Sequence, residues 1–217
     1  NIRIIDLSID FRLKKEKDYI NWYNFKHNNI GLIEDFEYGL TELNRSRIGN
    51  SKHIANPGCY ATSVLVPLTV LVQKNVIRTD NIIIDAKSGY SGAGKTKNKE
   101  QLLEEVYENI KTYGVGDHKH IAEINQELTI FNENKNVEVF FSANLIPVER
   151  GILSNIYINP ISLSGEEIHQ ILFDRFKDET FIQILPLNEI PTTKEVVGTN
   201  NLIIGVKKGY KNDTICI

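Results

Sequence analysis

His53-Ile54-Ala55-Asn56-Pro57-Gly58-Cys59-Tyr60-Ala61-Thr62-Ser63-Val64-Leu65-Val66-Pro67-Leu68-Thr69-Val70-Leu71-Val72 holds the transition that decides the fold. His53 to Ala55 reads as a short strand, and Asn56 to Gly58 is helix-entry chemistry. Cys59 to Lys74 then reads as an apolar helix. Pro67 falls inside it, where it removes the bond to the Ser63 carbonyl and is expected to bend the rod.

Working downstream, Asn81 to Lys87 predicts a strand, Ser88 to Lys95 a glycine loop, and Lys99 to Ile110 a helix with Leu102, Leu103, Val106 and Ile110 on one face. Lys111 to Lys119 reads as a loop and Ile121 to Phe131 as a helix. The strands Val137 to Leu145 and Ile152 to Asn159 flank Pro147 to Gly151 and are expected to pair antiparallel. Ser164-Gly165-Glu166-Glu167 opens an amphipathic helix through Phe176, and strands at 181–185, 202–207 and 214–217 close the chain.

Upstream, Ile2 to Ile5 followed by Asp6-Leu7-Ser8-Ile9-Asp10-Phe11-Arg12 is a buried-strand pattern running into a polar loop. From Asp18 to Leu43, Tyr19, Trp22, Tyr23, Phe25, Phe36 and Tyr38 alternate with Asn, Lys and Glu, predicting a short helix and packed loops, with the rings in a core or a lid. A mixed sheet with helices is an α+β architecture.

With 217 residues, 41% apolar and 24% charged, the chain is long and apolar enough to fold around a core and too apolar to be disordered. A net charge of -3 lacks the broad basic field that nucleic acid or anionic membrane requires, so neither partner is expected. The apolar stretch from Ser63 to Val72 is too short to span a bilayer, and the first residues lack a signal-peptide layout, which predicts a cytoplasmic protein. The absence of Met and the immediate start on a strand suggest a piece of a longer chain. Cys59 and Cys216 form no dense disulfide framework and read as reduced thiols.

Three features carry chemistry. Cys59, after Asn-Pro-Gly at the first turn of a helix, lies among unpaired N–H groups at the positive end of the dipole; both favour thiolate, and the same N–H groups suit an oxyanion. A lone cysteine can equally be an inert core residue, the reading given to Cys216. Gly89-Tyr90-Ser91-Gly92-Ala93-Gly94-Lys95-Thr96 fits the phosphate-loop pattern, so an NTP-binding protein is one alternative, opposed by the missing metal-holding Asp downstream and a helix that starts only near Lys99.

The third feature is the run Tyr113 to Ile124, in which His120 and Glu123 stand at i, i+3, so that the carboxylate can orient an acid/base imidazole if a helix begins there. His118, His120 and Glu123 as zinc ligands are the competing reading, without a recognised zinc spacing; no metal site is expected.

Together, Asp6 to Arg12, Asn56 to Thr62, Ser88 to Gly94, His118 to Glu123 and Pro147 to Gly151 resemble, in order, segments of the N-acetyl-gamma-glutamyl-phosphate reductase family. Ala122 stands where the family has Pro before the Glu.

The resemblance implies a mixed, largely antiparallel sheet with helices, as in the C-terminal domain of glyceraldehyde-3-phosphate dehydrogenase, preceded by the remnant of a Rossmann-type domain. It places the end of a nucleotide-binding domain at 1–55 and a catalytic, substrate-binding and oligomerisation domain at 56–217. It implies Cys59 as nucleophile, His120 or His118 as acid/base with Glu123, Arg12 and Tyr113 as substrate contacts, and Ser88, Gly89, Ser91 and Gly92 beside the nicotinamide of NADP. The implied reaction is reduction of an acyl phosphate through a Cys59 thioester by a homo-oligomer, with glutamyl, aminoadipyl and aspartyl substrates left open. The Gly-rich dinucleotide fingerprint is absent from this sequence, so most of the NADP site is expected to be missing from it.

Overall fold

The computed structural model describes residues 2–93, 98–209 and 213–217. Gly94, Lys95 and Thr96 of the phosphate-loop lookalike lie outside them. Two sheets and six helices organise the described chain, with a small two-stranded parallel ladder toward its end.

The first sheet comprises β1 (Ile4–Asp6), β2 (Phe36–Tyr38) and β3 (His53–Ala55), in parallel order β1-β3-β2. Between them lie α1 (Glu16–Tyr23) and α2 (Thr41–Asn50). The buried-strand reading of the opening run needs correction: Ile2, Ile4, Ile5 and Leu7 are exposed. β1 is an edge strand bonded only to β3, and nothing among the described residues covers those side chains. The aromatics between Asp18 and Leu43 do pack as expected, with Tyr19, Tyr23, Phe36 and Tyr38 buried.

From β3 the chain enters α3 (Cys59–Gln73), which continues through Pro67. It is apolar on all sides because it is enclosed on all sides, packing against a strand and two later helices. Asn75, in the left-handed region at φ 53, lets the chain leave it.

The second sheet follows: β4 (Ile82–Gly89), α4 (Lys99–Val106), β5 (Lys111–Tyr113), α5 (His120–Phe131), β6 (Val139–Ile146), β7 (Ile152–Ile158), α6 (Gly165–Phe176), β8 (Ile182–Ile184), β9 (Leu202–Ile204), β10 (Lys207–Lys208) and β11 (Ile215–Cys216). Six of these strands join in the order β10-β11-β7-β4-β6-β5, with only β4 and β6 parallel. The mixed, largely antiparallel α+β expectation is thus borne out.

The expected β6–β7 pairing is not. β4 lies between them, parallel to β6 and antiparallel to β7. Ile82, Ile84 and Ala86 are fully buried or nearly so, and this apolar strand occupies the centre of the sheet. Residues 147–151 therefore cross the end of β4 instead of closing a hairpin. The Gly89, Tyr90 and Ser91 amides donate to the Gly151, Val148 and Glu149 carbonyls at 2.9, 3.0 and 3.0 Å.

Helix α4 ends at Val106, four residues before its expected end; Leu102 and Val106 are buried, whereas Leu103 and Ile110 are exposed. The Asn98–Gln101 capping box fixes its start, and Ser164 with Glu167 does the same for α6. One apolar core runs from Tyr38 of the first sheet and Leu40 just before α2 through α3 to β4, β6, β7, α5 and α6.

Candidate active site

Cys59 is the first residue of α3, and its thiol is exposed to a cleft of about 760 Å³. Tyr60, Ser88, Gly89, Ser91, Gly92, Tyr113, His118 and His120 line the same cleft. The structure therefore gathers all the expected catalytic and cofactor-side positions around one space, apart from Glu123 and Arg12, which lie behind it. Cys216 is half-buried in β11, far from full core burial, and does not line the cleft.

Two effects oppose each other at Cys59. The backbone amides of Tyr60 and Cys59 do pull its pKa down, yet removal from water outweighs them and pushes the thiol up.

His120 opens α5, and its ring is pressed against the residue preceding Cys59. A Cβ on Gly58 would meet His120 Nε2 at 2.4 Å and Glu123 Oε2 at 2.9 Å, so only glycine fits between α3 and α5 here. Burial lowers the His120 pKa to about 3, with the neighbouring His118 and Arg12 charges adding to the effect. Its imidazole is neutral at physiological pH. His118 is also shifted down by burial; its Nδ1 accepts the His120 amide at 3.2 Å, and the two rings meet edge-on with centroids 4.9 Å apart. Tyr60 stands edge-on to both rings, and its hydroxyl contacts that of Tyr113 at 3.2 Å.

Glu123 does not hold the His120 ring by a hydrogen bond. Its fully buried carboxylate accepts from the Gly58 amide at 2.8 Å and from the Tyr38 hydroxyl at 2.6 Å, and Arg12 approaches it at 3.7 Å. Helical i, i+3 spacing brings the two side chains to the same side: both donors go to Oε1, while Oε2, facing Gly58 together with His120 Nε2, has no hydrogen-bond partner among the described residues. Burial raises the Glu123 pKa, while Arg12, Tyr38 and Gly58 oppose the shift.

Arg12 is itself buried, donates to the Leu7 carbonyl at 3.1 Å and does not line the cleft. In this structure it pairs with Glu123 behind the cleft. Among the described residues no cluster of His, Cys, Asp or Glu could hold a metal ion.

Sequence reasoning missed two residues that matter here. Tyr38, 85 positions from Glu123, carried only an aromatic signal. Arg150, exposed on the cleft wall, stood in a segment read as a mere turn.

Gly89 has a tighter explanation than cofactor access: a Cβ there would strike the Glu149 carbonyl at 2.6 Å and the Arg150 nitrogen at 2.7 Å. Its bareness admits the crossing turn. Ser91 and Gly92, by contrast, are exposed to the cleft.

The family model described as semialdehyde dehydrogenase, dimerisation domain, matches residues 59–217. N-acetyl-gamma-glutamyl-phosphate reductase of Halothermothrix orenii is 42% identical over 217 residues, covering 100% of this chain and 62% of that protein. The enzyme of the same name from Ehrlichia ruminantium is 46% identical over 215 residues, covering 99% and 61%. The chain therefore spans about three fifths of these relatives, 61–62% of their length.

Among solved structures, aspartate semialdehyde dehydrogenase II from Vibrio cholerae superposes with a TM-score of 0.66 at 17% identity, covering 98% of this chain and 64% of that one. The Francisella tularensis aspartate semialdehyde dehydrogenase gives 0.64 at 15%, covering 84% and 65%. At such identities the likeness speaks for the fold alone. With the family model matched over most of its length, and with whole-chain similarity to N-acetyl-gamma-glutamyl-phosphate reductases, the chain belongs to the semialdehyde dehydrogenase dimerisation-domain family.

Proposed function

We propose that this chain is the catalytic part of an N-acetyl-gamma-glutamyl-phosphate reductase, with residues 56–217 forming the catalytic and self-associating unit and residues 1–55 ending a nucleotide-binding one. The observation that carries the reading is the exposed Cys59 at the start of α3, with the neutral imidazole of His120 packed on Gly58 beside it. That arrangement suits attack on an activated carbonyl.

The chemistry divides into two steps, each easier than the whole. Cys59 gives its proton to the imidazole of His120 as its sulfur attacks the acyl carbon. The C–S bond forms, the bond from carbon to the phosphate oxygen breaks, and phosphate leaves with the electron pair. Because the resting thiol is held up and the resting imidazole held down, the transfer is uphill until the carbonyl is in place. The free N–H groups at the start of α3 suit the developing oxyanion.

A nicotinamide cofactor, proposed as NADP, supplies hydride when bound. Ser91 and Gly92, exposed to the cleft and without bulk, leave room for a flat ring, with Ser88 beneath them. After reduction the C–S bond breaks and the imidazolium of His120 returns its proton to sulfur. Arginine biosynthesis in the cytoplasm, by a homo-oligomer, is the setting this reading implies.

The test is an assay of the longer reductase containing this chain with N-acetylglutamyl, aminoadipyl and aspartyl phosphates, each with NADPH and with NADH. The reading expects the highest kcat/KM for the glutamyl substrate with NADPH. A clear preference for either other acyl phosphate would replace the substrate assignment.

A further inference from the structure

We infer that Arg150 binds the phosphoryl group of the acyl phosphate in the cleft, an inference that rests on the cysteine chemistry proposed above. The cleft has a distinctive charge balance. Although the chain carries 28 acidic residues and a net charge of -3, no Asp or Glu is among the described residues lining it, whereas Lys119 and Arg150 are. A cavity lined by one sign of charge concentrates the opposite sign.

Of the cations lining the cleft among the described residues, Arg150 is the one whose charged group has no partner there. Lys119 places its ammonium over the Tyr23 ring, 5.7 Å from the centroid. Arg12 is buried against Glu123 and the Leu7 carbonyl and does not line the cleft. Arg150 is exposed and has no ion pair or side-chain hydrogen bond among the described residues.

Its backbone is nevertheless fixed. The crossing turn is tied to the glycine loop by the amides of Gly89, Tyr90 and Ser91, and the Arg150 nitrogen packs where a Cβ on Gly89 would be. A held backbone with a free guanidinium is a preorganised fork for a planar pair of oxyanion oxygens. The exposed position favours the phosphoryl group over the substrate's carboxylate, since phosphate must depart to solvent during the first step while the rest of the substrate stays bound to Cys59.

The test uses the 217-residue chain and inorganic phosphate, reading the rate of Cys59 alkylation by iodoacetamide through peptide mass spectrometry. Phosphate is expected to slow alkylation saturably, beyond the effect of sodium chloride at equal ionic strength. Arg150→Gln should raise the phosphate concentration needed by about tenfold or more, the size expected for losing hydrogen bonds to a charged group, with Arg150→Lys falling between.

Equal protection in Arg150→Gln, or no protection of the native chain, would overturn the assignment. So would stronger Arg150-dependent protection by N-acetylglutamate than by phosphate, which would make this a carboxylate site. None of these outcomes depends on turnover, so the thioester reading stands or falls separately, on whether an acyl phosphate acylates Cys59.

Discussion

Gly58 and His120 share a contact that leaves no room for a side chain: a Cβ at position 58 would lie 2.4 Å from His120 Nε2. Helix α3, which opens on Cys59, and helix α5, which opens on His120, are thereby set against each other at the residue before Cys59. Gly58→Ala is expected to push His120 and Glu123 aside and lower kcat of the proposed reductase by about 10²-fold, the scale of an ångström-sized misplacement. Steady-state kinetics with circular dichroism checks this; an alanine variant with native turnover would remove the contact from the mechanism.

Glu123 ties the same junction from behind through Gly58 and Tyr38. Glu123→Ala strands two donors and leaves Arg12 as an uncompensated buried charge, which should cost about 3–5 kcal/mol in urea unfolding. Tyr38→Phe removes one hydrogen bond to a charged group and should cost about 1.5–3 kcal/mol. Losses below about 1 kcal/mol for both would show that the buried network is not what holds α5 to α3.

His120 and Glu127 contribute to the pH dependence of stability in opposite directions. His120 has an ordinary pKa of 6.5 and a folded value of about 3, so the unfolded chain binds more protons between them and stability falls as pH drops through that window. Glu127, fully enclosed beside Gln126 and Glu123, is pushed up from 4.5 to about 7 by burial. The folded chain keeps its proton there, so stability is full below about 4.5 and is lost as pH rises toward about 7. Glu127→Gln should therefore flatten the decline between pH 5 and 7, and His120→Asn the decline between pH 6 and 4. Urea midpoints across pH measure both, and unchanged slopes would contradict the assigned environments.

The two histidines should separate kinetically. His120 lies against Gly58, whereas His118 precedes α5 by two residues and spends Nδ1 on the His120 amide. His120→Asn is expected to cut kcat by about 10²–10⁴-fold with a modest change in KM, and His118→Asn to cost less and to act chiefly on KM. Reversed losses would make His118 the proton carrier.

How much of this was legible in the sequence follows the range of each interaction. The strand at 53–55, the entry into α3 and the Ser164–Glu167 capping box are written in neighbouring residues, and each appears where expected. β2, β5 and α2 were not visible: the strands have three residues each, and Thr41–Asn50 has no apolar stripe. The placement of β4 between β6 and β7 depends on pairings across dozens of residues that no local period records. At the site, Cys59, Tyr113, His118 and His120 carried chemical signals and do meet. The pairing of Arg12 with Glu123 was hidden because the two are far apart in sequence, and Arg150 looked like turn filler because nothing nearby marks its exposure to the cleft.

The central claim is that Cys59 becomes acylated, and it can be measured directly. The longer protein containing this chain, the proposed reductase, is incubated with N-acetylglutamyl phosphate without reduced cofactor, quenched in acid and digested for mass spectrometry. The predicted result is an N-acetylglutamyl thioester on the Cys59 peptide, none on Cys216, loss of the adduct on adding NADPH, and no acyl transfer in Cys59→Ser to the other cysteine. An enzyme that turns over substrate while Cys59 stays unmodified, or that carries the acyl group on another residue, would contradict the account.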